Sequence, residues 1–187
     1  ANADAIGNVF LIGGTITNSA ALTGTAYTLE SGTISGILAG AIPITKNTNN
    51  TVTLSGVNTI SSTITINAGT LALSGSGSAT AVTGVTVNLG GTLTLDNSTT
   101  AVADRLNGTG GTNAIIITLN GGNLNFLGNS AATASETLGQ LALASGHNVV
   151  TVTPGAGGST TLTFATNPGL NRTAGATVLF RGTSLGS

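Results

Sequence analysis

The sequence predicts an all-β fold, a parallel β-helix (β-solenoid) of about nine coils, in a single domain spanning 1–187 with a loop insertion around 98–114. Three observations predict it. Short runs alternate small aliphatic with small polar residues. One triplet recurs roughly every nineteen residues. Charged and aromatic residues are scarce, at 5% and 3% of the 187 residues.

The alternation defines the strands. In "TITI" (63–66) and "TLTL" (92–95) the aliphatic residues point one way and threonine the other, a period of two that suits half-buried strands rich in β-branched residues. Corners follow from "INAGTL", "VNLGGTL" and "LNGGNL": Asn67/Gly69, Asn88/Gly90 and Asn120/Gly121 combine residue types that tolerate positive φ.

The repeat defines the architecture. Aligning "GTL" gives triplets centred on Thr15, Thr33, Thr51, Thr70, Thr92, Asn123 and Gln140, with weaker copies on Thr161 and Thr177. The one long step, from Thr92 to Asn123, contains "NSTTAVADRLNGTGGTNA", whose Gly, Asn and Ser mark an excursion. Stacked coils about 4.8 Å apart would make a rod on the order of 43 Å long. The inward column would comprise Ile16, Ile34, Val52, Leu71, Leu93, Leu124, Leu141, Leu162 and Val178. An antiparallel sandwich of short strands also explains the alternation, but not one triplet recurring in register.

Composition excludes several function classes. Only Lys46, Arg105, Arg172 and Arg181 are cationic and the net charge is −1, so no basic footprint for nucleic acid or anionic lipid exists. No apolar run reaches the roughly 20 residues of a membrane span, and without cysteine there is neither a disulfide framework nor a thiolate metal site. The chain has no Met, and Ala1 and Ala3 suit the region after a signal-peptidase cut; a processed secreted chain, or a piece of a longer one, is the expectation.

No enzyme, metal site or cofactor is expected. The titratable inventory is Asp4, Glu30, Asp96, Asp104, Glu136 and His147 plus the four cations. Asp96 and Asp104 flank the insertion as a conceivable carboxylate pair, but an Asp before "NST" reads as a turn residue bonding its own backbone. His147 in "ASGHNVV" lacks a second metal ligand, and "NGTGGTN" has the glycines of a calcium-binding repeat without its carboxylate. The sequons at Asn49, Asn97, Asn107 and Asn171 are about what this composition yields by chance.

Thr15/Thr17, Thr51/Thr53, Thr92/Thr94 and Thr161/Thr163 would align Thr-x-Thr pairs on one face, an arrangement seen in ice-binding solenoids, interrupted at Ala72, Asn123/Asn125 and Gln140/Ala142. Stacked threonines also stabilise any sheet.

At 51–77, "TLSGVNT", "TITINAGTL" and "LALSGSG" closely resemble the autotransporter-associated β-strand repeat of long secreted bacterial surface proteins. The departure is at 60–62, where that family usually shows an aromatic residue followed by glycines. "TLGQLALASGHNVVTVTPGAGGSTTLTFA" and "RTAGATVLFRGTSLG" resemble regions of the same proteins. The resemblance implies a right-handed parallel β-helix outside the cell, with no activity attached.

Solenoid ends normally carry polar caps, because they expose strand edges and an open core. Here "NVFLIGGTI" and "GATVLFRGTS" are among the most apolar stretches. Val9, Phe10, Leu11, Val178, Leu179 and Phe180 are the candidate contacts for head-to-tail self-association into a filament or a segment of a surface fibre. A lateral face or the 98–114 insertion gripping a glycan or host surface, as an adhesin would, is the alternative.

Overall fold

The computed structural model describes residues 4–106 and 115–183. Residues 107–114, which hold Asn107, the "NGTGGTN" run and the second half of the predicted insertion, lie outside the described residues. The chain winds through about seven to eight coils of short strands. Coil one is β1 (Asp4–Ala5), β2 (Asn8–Leu11) and β3 (Thr15–Ile16); coil two is β4 (Ala21–Thr23), β5 (Ala26–Leu29) and β6 (Gly32–Ile34). Coil three is β7 (Ile37–Gly40), β8 (Ile44–Lys46) and β9 (Thr51–Leu54), and coil four is β10 (Val57–Ile60), β11 (Thr63–Ile66) and β12 (Gly69–Leu73). Then come β13 (Ser78–Ala79), β14 (Gly84–Asn88) and β15 (Gly91–Asp96), and after the insertion β16 (Ile116–Asn120) and β17 (Asn123–Leu127). The last two coils are β18 (Ala134–Leu138), β19 (Gln140–Ser145) and β20 (His147–Thr153), and β21 (Thr160–Phe164), β22 (Leu170–Arg172) and β23 (Thr177–Gly182).

Every strand pairs in parallel with its counterpart one coil away. One long face runs β2-β5-β8-β11-β14-β16-β19-β22, a second β3-β6-β9-β12-β15-β17-β20-β23, and the third carries β1-β4-β7-β10-β13 and, further on, β18-β21. Part of the insertion joins the two pieces of the third face. Leu106 bridges Ala79 in parallel, Ala79 N donates to Arg105 O at 2.7 Å, and Asp104 N donates to Ser135 O at 3.2 Å.

The register sorts side chains into columns. Val52, Leu71, Leu93, Leu124 and Val150 stack inward in sequence, beside Ile16, Ile34, Leu54, Leu73, Leu95, Phe126 and Val152. Ile34 therefore lies under Leu54, whereas the triplets align it with Val52. That two-residue slip keeps every aliphatic inward, which a one-residue slip would not. The expected inward residues Ile34, Val52, Leu71, Leu93, Leu124 and Leu141 are fully buried; Ile16, Leu162 and Val178 pack half-buried against the same core.

Nine triplets do not make nine coils. The copy at Gln140 lies on β19, paired with β16, and the copy at Thr161 lies on β21, paired with β18, so each of the three sides contributes look-alikes in the later coils. True in-register steps, taken along Thr15, Thr33, Thr53, Ala72, Thr94, Asn125, Thr151 and Arg181, are 18, 20, 19, 22, 31, 26 and 30 residues. The later coils are larger because their corners carry more chain.

At the corner leading into the second long face, Gly69, Gly91 and Gly122 stack. A Cβ on Gly122 would lie 2.5 Å from Val87 O, and one on Gly69, where φ is +67°, would lie 2.3 Å from Thr48 O. The preceding coil's carbonyls occupy the space a side chain would need.

Candidate functional site

The six candidate self-association residues fall at opposite ends of the stack, on different faces. Val9, Phe10 and Leu11 lie in β2, which among the described residues pairs with β5 alone; Val178, Leu179 and Phe180 lie in β23, which among them pairs with β20 alone. Each therefore has one unpaired edge among the described residues. Their side chains differ. Val9 and Leu11 point inward and are buried, while Phe10 points outward in line with Thr28. Phe180 extends the inward column of Leu124 and Val150 and is 46% exposed, because no described residue covers it; Leu170, above Leu141, is 45% exposed for the same reason. Leu179 faces outward above Val149. Among the described residues, the uncovered part of the apolar core is thus at the β21–β23 end.

The predicted corner asparagines do more than turn the chain. Asn67 Nδ2 donates to Asn47 Oδ1 at 2.7 Å, Asn88 Nδ2 to Asn67 Oδ1 at 2.6 Å and Asn120 Nδ2 to Asn88 Oδ1 at 3.1 Å, and Ser145 Oγ continues the line onto Asn120 Oδ1. Positive φ at these corners is left to Gly69, Gly90 and Gly121. Each amide is donor to one coil and acceptor from the next, so the row fixes register where the strands end. The sequence signal is Thr-x-Asn at Thr45/Asn47, Thr65/Asn67, Thr86/Asn88 and Thr118/Asn120. Asn88→Ala removes two of these bonds and is expected to cost about 1–2 kcal/mol in denaturant unfolding; an unchanged midpoint would mean the ladder adds no stability.

The threonines likewise form outward columns, though not quite the expected one. Thr28, Thr45, Thr65, Thr86 and Thr118 stack without interruption on the first long face. Thr15, Thr33 and Thr53 do so on the second, followed by Ala72 and Thr94. Thr161 and Thr163 lie on the third face and join neither.

Asp96 and Asp104 do not form a pair of free carboxylates. Asp96 accepts from Ser98 N at 2.9 Å, Ser98 Oγ at 2.6 Å and Ser74 Oγ at 3.0 Å. Burial pushes its pKa up, but these bonds and the Arg105 charge outweigh that and hold it below the ordinary carboxylate value. Asp104, at φ 50°, accepts from Thr137 N at 2.8 Å. His147 Nδ1 lies 2.7 Å from Thr177 Oγ1, an exposed contact between neighbouring coils. Among the described residues no group of three His, Cys, Asp or Glu could hold a metal.

The buried polar centre is one the sequence did not announce. Arg105 is fully buried: Nε donates to Asn97 Oδ1 at 2.6 Å, Nη1 to Gly77 O at 2.5 Å, and Nη2 to Gly75 O at 2.9 Å and Thr100 O at 2.8 Å. Glu136, one coil on and also fully buried, accepts from Arg105 N at 2.8 Å and Leu106 N at 2.9 Å, doing for that edge what a strand carbonyl does elsewhere. Burial, aided by Asp104, raises its pKa to about 8 against the two backbone bonds and Arg105. Burial also lowers the Arg105 pKa. Apart from Asn97 Nδ2, which is buried without a partner, these polar groups bond across and within the 97–106 segment, so the cluster is a structural clasp.

Lys46 is a second internal cation. It occupies an inward position between Leu29 and Ile66, and its ammonium reaches the corner to donate to Thr48 O, to Thr48 Oγ1 at 3.0 Å and to Ala68 O at 3.3 Å. Burial lowers its pKa, opposed by Glu30.

Comparison with protein-family models, with curated proteins and with solved structures finds no match to this chain.

Proposed function

We propose that the chain is a structural, secreted β-solenoid of the bacterial cell surface, whose coil stack continues head to tail into a filament or forms a segment of a long surface fibre. The observation carrying this reading is the β21–β23 end, where, among the described residues, Phe180 and Leu170 stand uncovered at the tips of otherwise buried columns and one edge each of β22 and β23 lacks a partner. A parallel ladder whose two ends differ makes a heterologous contact that grows without closing. The low charge supports it, since copies stacked end to end repel little. The resemblance to autotransporter-associated repeats supports the surface location. An adhesin of the passenger type, presenting a lateral face to a glycan or host surface, is the alternative.

Negative-stain micrographs of the purified chain test this reading. Fibres one coil-stack wide are expected; monodisperse rods of roughly 35 Å, the length of eight coils, would refute self-assembly and leave the fibre-segment or adhesin roles. The uninterrupted threonine column from Thr28 to Thr118 favours one other reading, binding to ice. Thermal hysteresis that Thr65→Tyr abolishes would establish it, and freezing indistinguishable from a buffer control would dismiss it.

A further inference from the structure

Resting on the head-to-tail reading, we infer that the last coil of one copy receives the first coil of a second copy in one specific register, with β22 against β2 and β23 against β3, and with Phe180 entering the space beside the second copy's Gly14. The inward columns carry the argument. One runs from Gly14 and Gly32 through Val52, Leu71, Leu93, Leu124 and Val150 to Phe180: bare at its first coil, bulky at its last. Gly14 is an exposed corner glycine at φ +78°, and a Cβ placed on it meets nothing within 4 Å, so no described residue crowds this position. The neighbouring column has the opposite taper, from Ile16 to Gly182, so the bulk missing at one end is supplied by the other.

The first long face continues equally well. Leu170 would lie under the second copy's Val9, apolar on apolar. Arg172 would lie under its Leu11, in the same column where Lys46 already sits between Leu29 and Ile66. Lys46 shows how a cation is tolerated there: its head turns to corner carbonyls, and Arg172 Nη1 already donates to Ala176 O at 3.1 Å. Both tapers and the apolar step of Leu170 on Val9 are satisfied together in this register. A slip of two residues would set Phe180 against Ile16, bulk on bulk, and the smaller Val178 against Gly14.

The same register places outward Arg181 directly opposite the second copy's Thr15, continuing the column of Thr151. Neighbouring parallel strands put such Cα atoms about 4.8 Å apart, within disulfide reach. The chain has no cysteine of its own. Equimolar R181C and T15C chains, mixed and mildly oxidised, are expected to give a covalent heterodimer at least about tenfold in excess of the R181C and T17C mixture, which reports the two-residue slip. Phe180→Ala should reduce the yield several-fold while circular dichroism stays that of the parent. Fibres that form without the T15C crosslink, or that prefer T17C, would overturn this register yet leave head-to-tail assembly standing. Neither fibres nor crosslinks would overturn both.

Discussion

Arg105→Ala is expected to destabilise the stack by about 3–5 kcal/mol, the range for removing one member of a buried charged network. The guanidinium donates to Gly75 O, Gly77 O and Thr100 O, and it shares Asn97 Oδ1 with Val102 N at 3.2 Å. Alanine would leave the buried acceptors Asn97 Oδ1 and Gly77 O without this donor, and it would open a cavity under the 97–103 corner. Arg105→Lys keeps the charge but can satisfy fewer acceptors, because an ammonium lacks the planar fork, so an intermediate loss is expected. Urea midpoints measure both, and limited proteolysis localises the effect, since cleavage within 97–106 should accelerate before the rest of the chain is attacked. A loss for alanine below about 0.5 kcal/mol, the scale of an ordinary surface change, would mean the corner holds itself without the guanidinium.

The strands, their inward faces and the parallel stacking were legible because they are local facts repeated many times. In "TITINAGTLALSG" the alternation, the corner and the next alternation all lie within 63–75, and β11 and β12 form there with Ile64, Ile66, Leu71 and Leu73 buried. Register was less legible. A slip of two residues between Ile34 and Val52 leaves the hydrophobic pattern unchanged, so pattern alone cannot choose between them. In the later coils the corners lengthen, and the triplet at Gln140 belongs to a different face from the triplet at Asn123. Counting triplets then overcounts coils.

The end residues were legible as apolar but not as exposed. Phe180 and Leu170 are uncovered, whereas Val9 and Leu11 are enclosed within their own coil, a distinction that depends on cross-strand packing and not on the residues themselves. The clasp was not legible at all. Arg105 and Glu136 are separated by 31 residues and meet only because one coil of the stack intervenes between them. An Asp-Arg pair in a Gly- and Asn-rich stretch looks like a solvated turn until the stacking turns 104–106 into a rung of the third face.

Raising the pH from 5 to 9 is expected to weaken the fold, and Glu136 is the reason. Its ordinary pKa of 4.5 applies to the unfolded chain, while burial raises the folded value to about 8. Between those values the native state holds a proton that the unfolded state has lost, so stability falls as pH rises. The contribution is fully present below about 4.5 and is lost through about 8. At 1.36 kcal/mol per unit, the total is on the order of 2–5 kcal/mol. The charges around the carboxyl act in both directions: Asp104 opposes its ionisation, and Arg105 favours it. Asp96, held low by Ser98, Ser74 and Arg105, loses stability only on the acid side of its ordinary 3.8, outside this window. Lys46, lowered by burial, works in the opposite sense toward alkaline pH. Glu136→Gln isolates the effect, because it cannot ionise. The variant should lose about 1–3 kcal/mol at pH 5, where its amide can accept from only one of the Arg105 and Leu106 N–H groups. Its stability should then change little up to pH 9, so that the two curves converge or cross. Parallel curves for parent and variant would place the pH sensitivity elsewhere in the molecule.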